Sequence, residues 1–238
     1  MKPTRVPSTC LPDTQIIASE KEVQEHPAYA KAKAGDLAAA VVLSKSFLSA
    51  ESIAAVRTAV AGRPVMILGV AAMESQGVNE IPQAMAFELS RTLGMPRAYE
   101  PLQINRVGHT RSSGWHRLAS QAVFDGAVVS GGMYWLVDDF VGQGGTLANL
   151  GGYLQANRAT VAGITVLAGR AYSAKLAISA QTLQALRTKH GQLEEWWIAR
   201  FGFGFGALTE SEGRYLYRAE DADTIRNRLA EAAQPSCR

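Results

Sequence analysis

The sequence predicts an α/β fold built on a mostly parallel sheet flanked by helices, and three observations carry that expectation. Residues 65–70, 133–137 and 161–167 are short, continuous apolar runs, the pattern of strands covered on both faces. Segments with apolar residues spaced three and four apart lie between them. The resulting order of strand, loop, helix and strand is the rhythm of βαβ units joined by right-handed crossovers.

Taken in order, residues 1–22 are polar, carry Pro3, Pro7 and Pro12, and read as a flexible lead-in without the apolar stretch of a secretory signal. Residues 26–40 look helical, although His26-Pro27 also reads as a turn. Ser49 is expected to cap a helix through Ile53, Val56 and Val60, which residues 62–64 end. Residues 65–70 form the first core strand. Residues 83–93 predict a helix packing through Met85, Phe87, Leu89 and Leu93, stopped by Gly94. A short strand is expected near residues 99–104. Residues 105–130 show weak periodicity with Gly108, Ser112, Ser113 and Gly114, which predicts a long mobile loop or a short hairpin, and loops of that length usually serve function.

Residues 133–137 form the next buried strand, followed by a glycine-rich turn, a helix through Leu147, Leu150 and Leu154, and a strand over 161–167. The C-terminal third reads as helices: 181–190 closed by Gly191, another through Leu193, Trp196 and Trp197, a capping box from Thr209 to Glu212 ahead of 214–217, and an amphipathic helix over 222–233.

Composition excludes several classes of function. With 238 residues the chain can bury one substantial core. Its 47% apolar and 19% charged content is that of a soluble protein, and no apolar run is long enough to span a bilayer, so no membrane is expected as partner and a cytoplasmic location is. Cys10 and Cys237, both in polar termini, exclude a disulfide framework and a thiolate metal site. A net charge of +3 with scattered basic residues suits a small anionic ligand and not a nucleic acid.

The chemistry concentrates at residues 134–147. The strand ends in Asp138 and Asp139 and turns through Gly142, Gly144 and Gly145 into a helix beginning near Thr146. Glycines let backbone N–H groups converge, and a helix N-terminus adds its positive dipole end, so the turn is a phosphate cradle. Paired carboxylates beside a phosphate suit hydroxyls or a divalent cation. A sugar phosphate has both ends.

This segment resembles the phosphoribosyl pyrophosphate (PRPP) signature of type I phosphoribosyltransferases: an apolar strand, two acidic residues, a short spacer, then a glycine pair and threonine. Residues 73–77, with Glu74, Ser75 and Gln76, are similar to the pyrophosphate loop of adenine phosphoribosyltransferases, with Gln76 where an arginine is usual. The resemblance implies a phosphoribosyltransferase-like domain over residues 23–238, its core at about 50–180 and a base-selecting hood at about 23–48 and 181–238. It implies that Asp138 and Asp139 hold the ribose hydroxyls and organise Mg2+, directly or through water or PRPP. Val141, Gly142, Gln143, Gly144, Gly145 and Thr146 would bind the 5′-phosphate, and Ala71, Ala72, Glu74, Ser75, Gln76 and Arg106 would contact PRPP. Arg111, with Arg106, Arg117, His109 and His116, would close over the pyrophosphate. The implied reaction is Mg2+-dependent transfer of the 5-phosphoribosyl group to a nucleobase-like molecule with release of pyrophosphate, by a homodimer. The alternative is a noncatalytic PRPP- or nucleotide-sensing protein on the same fold. Gly142 and Gln143 depart from the signature, which usually has threonine, alanine or aspartate at the first position and threonine at the second. Trp196, Trp197, Phe201, Phe203 and Phe205 read either as a base-stacking face or as core.

Overall fold

A computed structural model of the chain describes residues 2–74, 77–108 and 112–234, with the backbone alone for Thr9, Met73 and Glu74. Its centre is a five-stranded sheet of β1 (Thr14–Ala18), β2 (Met66–Gly69), β3 (Arg97–Ala98), β4 (Met133–Val141) and β5 (Thr160–Gly169). The spatial order is β1, β5, β4, β2, β3, and every pairing is parallel. The helices are α1 (Glu20–Glu25), α2 (Tyr29–Lys33), α3 (Leu37–Phe47), α4 (Ala50–Val60), α5 (Ile81–Leu93), α6 (Gly114–Ala119), α7 (Gly145–Ala156), α8 (Ala180–His190), α9 (Glu194–Phe201), α10 (Glu210–Tyr217) and α11 (Ala222–Ala232).

The apolar runs are strands because alternate side chains serve opposite faces. Ile67, Trp135, Val137 and Leu167 pack with α3, α4 and α5 on one side, while Leu68, Leu136, Ile164 and Val166 meet Leu147, Leu150 and Leu154 of α7 on the other. A strand buried on both faces has no polar face to show, which is why residues 65–70 and 161–167 are continuous in apolarity. Trp135 fits because Gly163 on β5 leaves its ring room, and its Nε1 donates to Thr165 Oγ1 at 2.9 Å. Thr165 Oγ1 in turn donates to Gln15 Oε1 of β1 at 3.1 Å.

Several expectations need correction. Thr14–Ala18, within the predicted lead-in, is the edge strand that extends the sheet beside β5. Ser8–Cys10 forms a 3-10 turn, and Leu11 packs against Gly151 of α7. Residues 26–40 divide into α2 and the start of α3, with Asp36 capping α3 through the Ala39 amide. Phe87 is exposed and lies under the Arg97 guanidinium instead of packing inward. The expected strand near 99–104 is two two-residue strands, β3 and Leu102–Gln103, the latter paired antiparallel with Phe124–Asp125. Residues 105–130 include α6, capped by Ser113, whose Leu118 is buried among the C-terminal helices.

Ser49 caps α4 through the Ser52 amide, and Thr209 and Glu212 form the capping box of α10, both as the spacing predicts. The aromatic group settles on the core reading: Trp197, Phe201, Phe203 and Phe205 are buried together, and partly buried Trp196 packs beside them. Cys10 is exposed, and Cys237 lies outside the described residues. No single helix among the described residues is long and apolar enough to cross a membrane.

Candidate ligand-binding cleft

Topology determines where a ligand can sit. From β2 the chain passes to β3 on one side, and from β4 it passes to β5 on the other, so strand order reverses between the adjacent β2 and β4. In open parallel sheets the crevice beyond the carboxyl ends at such a switch point is the binding place. A cavity of about 830 Å3 opens there.

Its floor is the end of β4 with Asp138, Asp139 and Phe140, and one wall is Gly142, Gln143 and Gly144 followed by the first turn of α7. Strand β4 is nine residues long, so both aspartates lie inside it and not beyond its end as the sequence suggests. Asp138 still pairs in register with Val166, and Val141 with Gly169. Gly144 has φ +79° and caps α7 without a side-chain hydrogen bond, which leaves the first N–H groups of that helix for a ligand. A side chain at Gly144 would also strike Leu176 at 2.5 Å. Thr209 Oγ1 donates to the Gln143 carbonyl and fixes the turn from the side of α10. Oε1 of Gln143 is buried without a hydrogen-bond partner among the described residues.

The acidic pair is electrostatically loaded. Asp138 is buried and Oδ1 accepts from the Asp139 amide at 2.8 Å. Burial raises its carboxyl well above the usual range, and the neighbouring Asp139 charge pushes the same way, against the opposing Asp139 N–H and Lys33. Asp139 takes an ion pair from Lys33 at 2.5 Å. Across the cleft Arg117 lies against Gly142, where any Cβ would collide with its guanidinium. Burial lowers the Arg117 pKa, opposed by the charges of Glu20 and Asp139.

The structure brings together Asp138, Asp139, Gly142, Gln143, Gly144, Gly145, Thr146 and Ala72 around one cavity. Val141 is not with them: it is buried under the sheet against Gly169. Ala71 is not part of the described lining, and its carbonyl accepts from the Gln103 amide at 3.1 Å. Arg106 is exposed and is not part of the described lining. His116, expected over the pyrophosphate, spans the carbonyls of Val107 at 2.8 Å and Ala232 at 3.3 Å. Ser75, Gln76, His109, Arg111 and the side chain of Glu74 lie outside the described residues.

Sequence reasoning missed Glu20, Tyr29 and Lys33 from the N-terminal helices, Asn79 ahead of α5, and Glu212 from α10. Nothing local marks the first four, since each reaches the cleft only through tertiary packing. Glu212 is the one with a sequence signal: it is the capping-box glutamate, and its carboxylate stands 2.7 Å from where a Gly145 Cβ would be. A carboxylate there would oppose an anion, but Arg5 neutralises it.

These features define an open α/β protein with a polar cleft at its switch point. No family model matches the chain. It is similar to Protein TraN of Escherichia coli, 34% identical over 207 residues that make up 87% of this chain and 46% of that protein. It is also similar to an uncharacterized protein of Haemophilus influenzae, 35% identical over 144 residues, 60% of this chain and 32% of that one. The chain thus spans about half and about a third of the lengths of these curated relatives.

Proposed function

We propose that the cleft binds PRPP and that the chain transfers its 5-phosphoribosyl group to a nitrogenous base with release of pyrophosphate, as type I phosphoribosyltransferases do. One observation carries the reading. The acidic pair, the glycine turn and the start of α7 line a single cavity with the segment following β2, across the switch point of the sheet. Its volume falls in the range of about 300–1,000 Å3 that small-molecule sites occupy.

In this reading Gly142 to Thr146 and the amino end of α7 take the 5′-phosphate, and Asp138 and Asp139 take the ribose hydroxyls. Ala72 and Asn79 take the diphosphate side, and the Arg117 guanidinium lies at the Gly142 turn within reach of the Asp139 charge. The cleft works by positioning and by charge, and needs no nucleophile of its own. Tyr29 and Phe140 supply ring surface beside the carboxylates for a planar acceptor.

The residues fit Mg2+ as an ion carried mainly by the ligand's phosphates. Two adjacent carboxylates line the cleft, one of them paired with Lys33, and among the described residues no group of three His, Cys, Asp or Glu side chains converges to cage a metal. Bound there by Asp138 and Asp139, the ion would neutralise charge on the departing diphosphate. A cytoplasmic setting and a homodimeric assembly go with this reading.

A second reading, PRPP sensing without turnover, is favoured by Arg117, which fills the space that the signature's usual threonine, alanine or aspartate at position 142 would need. Calorimetry with PRPP and Mg2+, followed by pyrophosphate release with a panel of bases, decides between them. Release with any base supports transfer, and tight binding with no release selects sensing. Absence of PRPP binding overturns both. Asp138→Asn combined with Asp139→Asn is expected to abolish PRPP binding while circular dichroism stays unchanged.

A further inference from the structure

The ammonium of Lys33 lies 2.5 Å from Oδ2 of Asp139, with side chains 14% and 12% exposed. Lys33 is the last residue of α2 and stands 106 residues from Asp139 in the chain, so the contact is made by the packing of the helix over the cleft. Beside Asp139, the carboxyl of Asp138 is buried in β4. Two neighbouring carboxylates withdrawn from water repel each other, and a cation within a few ångströms relieves them. A lysine ammonium and a divalent ion are alternative answers to the same charge.

We propose that Lys33 is the resident cation of the acidic pair. It holds Asp139 in the ligand-free cleft, competes there with divalent cations, and moves onto diphosphate oxygens when a phosphorylated ligand enters. The inference rests on the reading of Asp138 and Asp139 as the ribose and cation site. Two features support the exchange. Lys33 lines the same cavity as Ala72 and Asn79, the side assigned to the diphosphate, so its new partner is within the cleft. Its long flexible stem carries a point charge with no fixed geometry, which lets it change partners where an arginine fork would not. Removing it leaves an uncompensated charge in a poorly hydrated place, which then draws in a metal ion.

The consequence is cooperativity: diphosphate frees Asp139, and a divalent ion then binds. Mn2+ titrations of the full chain, by calorimetry and by electron paramagnetic resonance, test this. Without other ligands, wild type is expected to bind Mn2+ weakly, Lys33→Met about tenfold or more tightly, and Lys33→Arg like wild type. Mn2+ should raise the melting temperature of Lys33→Met and not of wild type. Adding Asp139→Asn to Lys33→Met should remove the gain. Inorganic pyrophosphate should tighten Mn2+ binding more in wild type than in Lys33→Met, where Asp139 is already free of the lysine. Lys33→Gln serves as a second neutral variant should Lys33→Met fold poorly. Tight Mn2+ binding by wild type alone overturns the proposal without any variant, and so does equal affinity in wild type and the neutral variants. If the Mn2+ ordering holds while PRPP fails to bind, the ligand reading falls and the competition of Lys33 for Asp139 stands.

Discussion

Arg5 grips Glu212 with two contacts, Nη1 to Oε2 at 2.5 Å and Nη2 to Oε1 at 2.8 Å, with side chains 0% and 2% exposed. The same guanidinium donates to Gln121 Oε1 at 3.0 Å, to the carbonyls of Ala207 and Gly145, and to Asn149 Oδ1, and lies 4.5 Å above the Phe203 ring. A segment expected as a loose lead-in therefore joins α7 to the C-terminal helices.

Arg5→Ala is expected to cost about 3–5 kcal/mol, because it strands a buried carboxylate. Arg5→Ala with Glu212→Gln should recover part of that loss, since the orphaned charge goes too. Urea denaturation of the four proteins of the cycle measures the coupling. Additive costs would mean that the pair does not interact.

Asp138 gives the chain a pH signature. Its carboxyl titrates in the folded state above the ordinary aspartate value of 3.8, so the folded form holds its proton more tightly than the unfolded form. The associated stability is complete below that ordinary value and is lost as pH rises through the raised one. Asp138→Asn cannot lose a proton. Its melting temperature should gain on that of wild type as pH increases from 4 towards neutrality, while ligand binding is lost. A difference that does not vary with pH would show that the folded carboxyl is not raised.

Gly142 and Arg117 share one space, and Gly142→Thr must displace the guanidinium. Gly142→Thr and Arg117→Ala should each weaken ligand binding, and the double variant should be no worse than the poorer single one. A coupling of about 0.5–3 kcal/mol by calorimetry is the expected signature of residues in contact.

Gly151 and Gly152 of α7 form a trough for the N-terminal arm. A Cβ at Gly152 would stand 2.5 Å from the Thr4 carbonyl oxygen and 2.8 Å from the Arg5 Cα, whereas one at Gly151 would meet only the Leu11 side chain. Alanine in a helix ordinarily gains about 1 kcal/mol over glycine. Here Gly152→Ala is expected to lose about 1–3 kcal/mol to overpacking against backbone, and Gly151→Ala less, because a side chain can turn away. The order of the two melting temperatures checks the argument.

Legibility in the sequence followed the range of the interactions. The continuous apolar runs announced β2, β4 and β5, and Ser49 and Thr209 announced their helices, because burial on both faces and capping are written in neighbouring residues. The aspartates looked like the end of a strand because polar side chains usually mark one. In fact β4 continues beneath them, held by pairing with Val166 and Ala168 on β5, which no local pattern reports. Thr14–Ala18 is a strand only because β5 offers an edge. In the cleft, the acidic pair and the glycine turn were legible as one segment, but Lys33, Glu20 and Glu212 arrive from elements far away in the chain. Helix α6 was hidden by its short length and its glycine start, although Ser113 capped it in plain view.

The trough on α7 also bears on how the chain is made. Arg5 and Glu212 are separated by 207 residues, so the arm leaves the ribosome long before either the trough or its carboxylate exists. Long-range closures of this kind come late, since the chain must lose its freedom before the contact is formed. The Arg5–Glu212 pair therefore closes only after α10 appears, and a translation arrest ahead of Glu212 would leave the Arg5 guanidinium without its carboxylate. Order around Arg5 is decided by a residue 207 positions further along the chain.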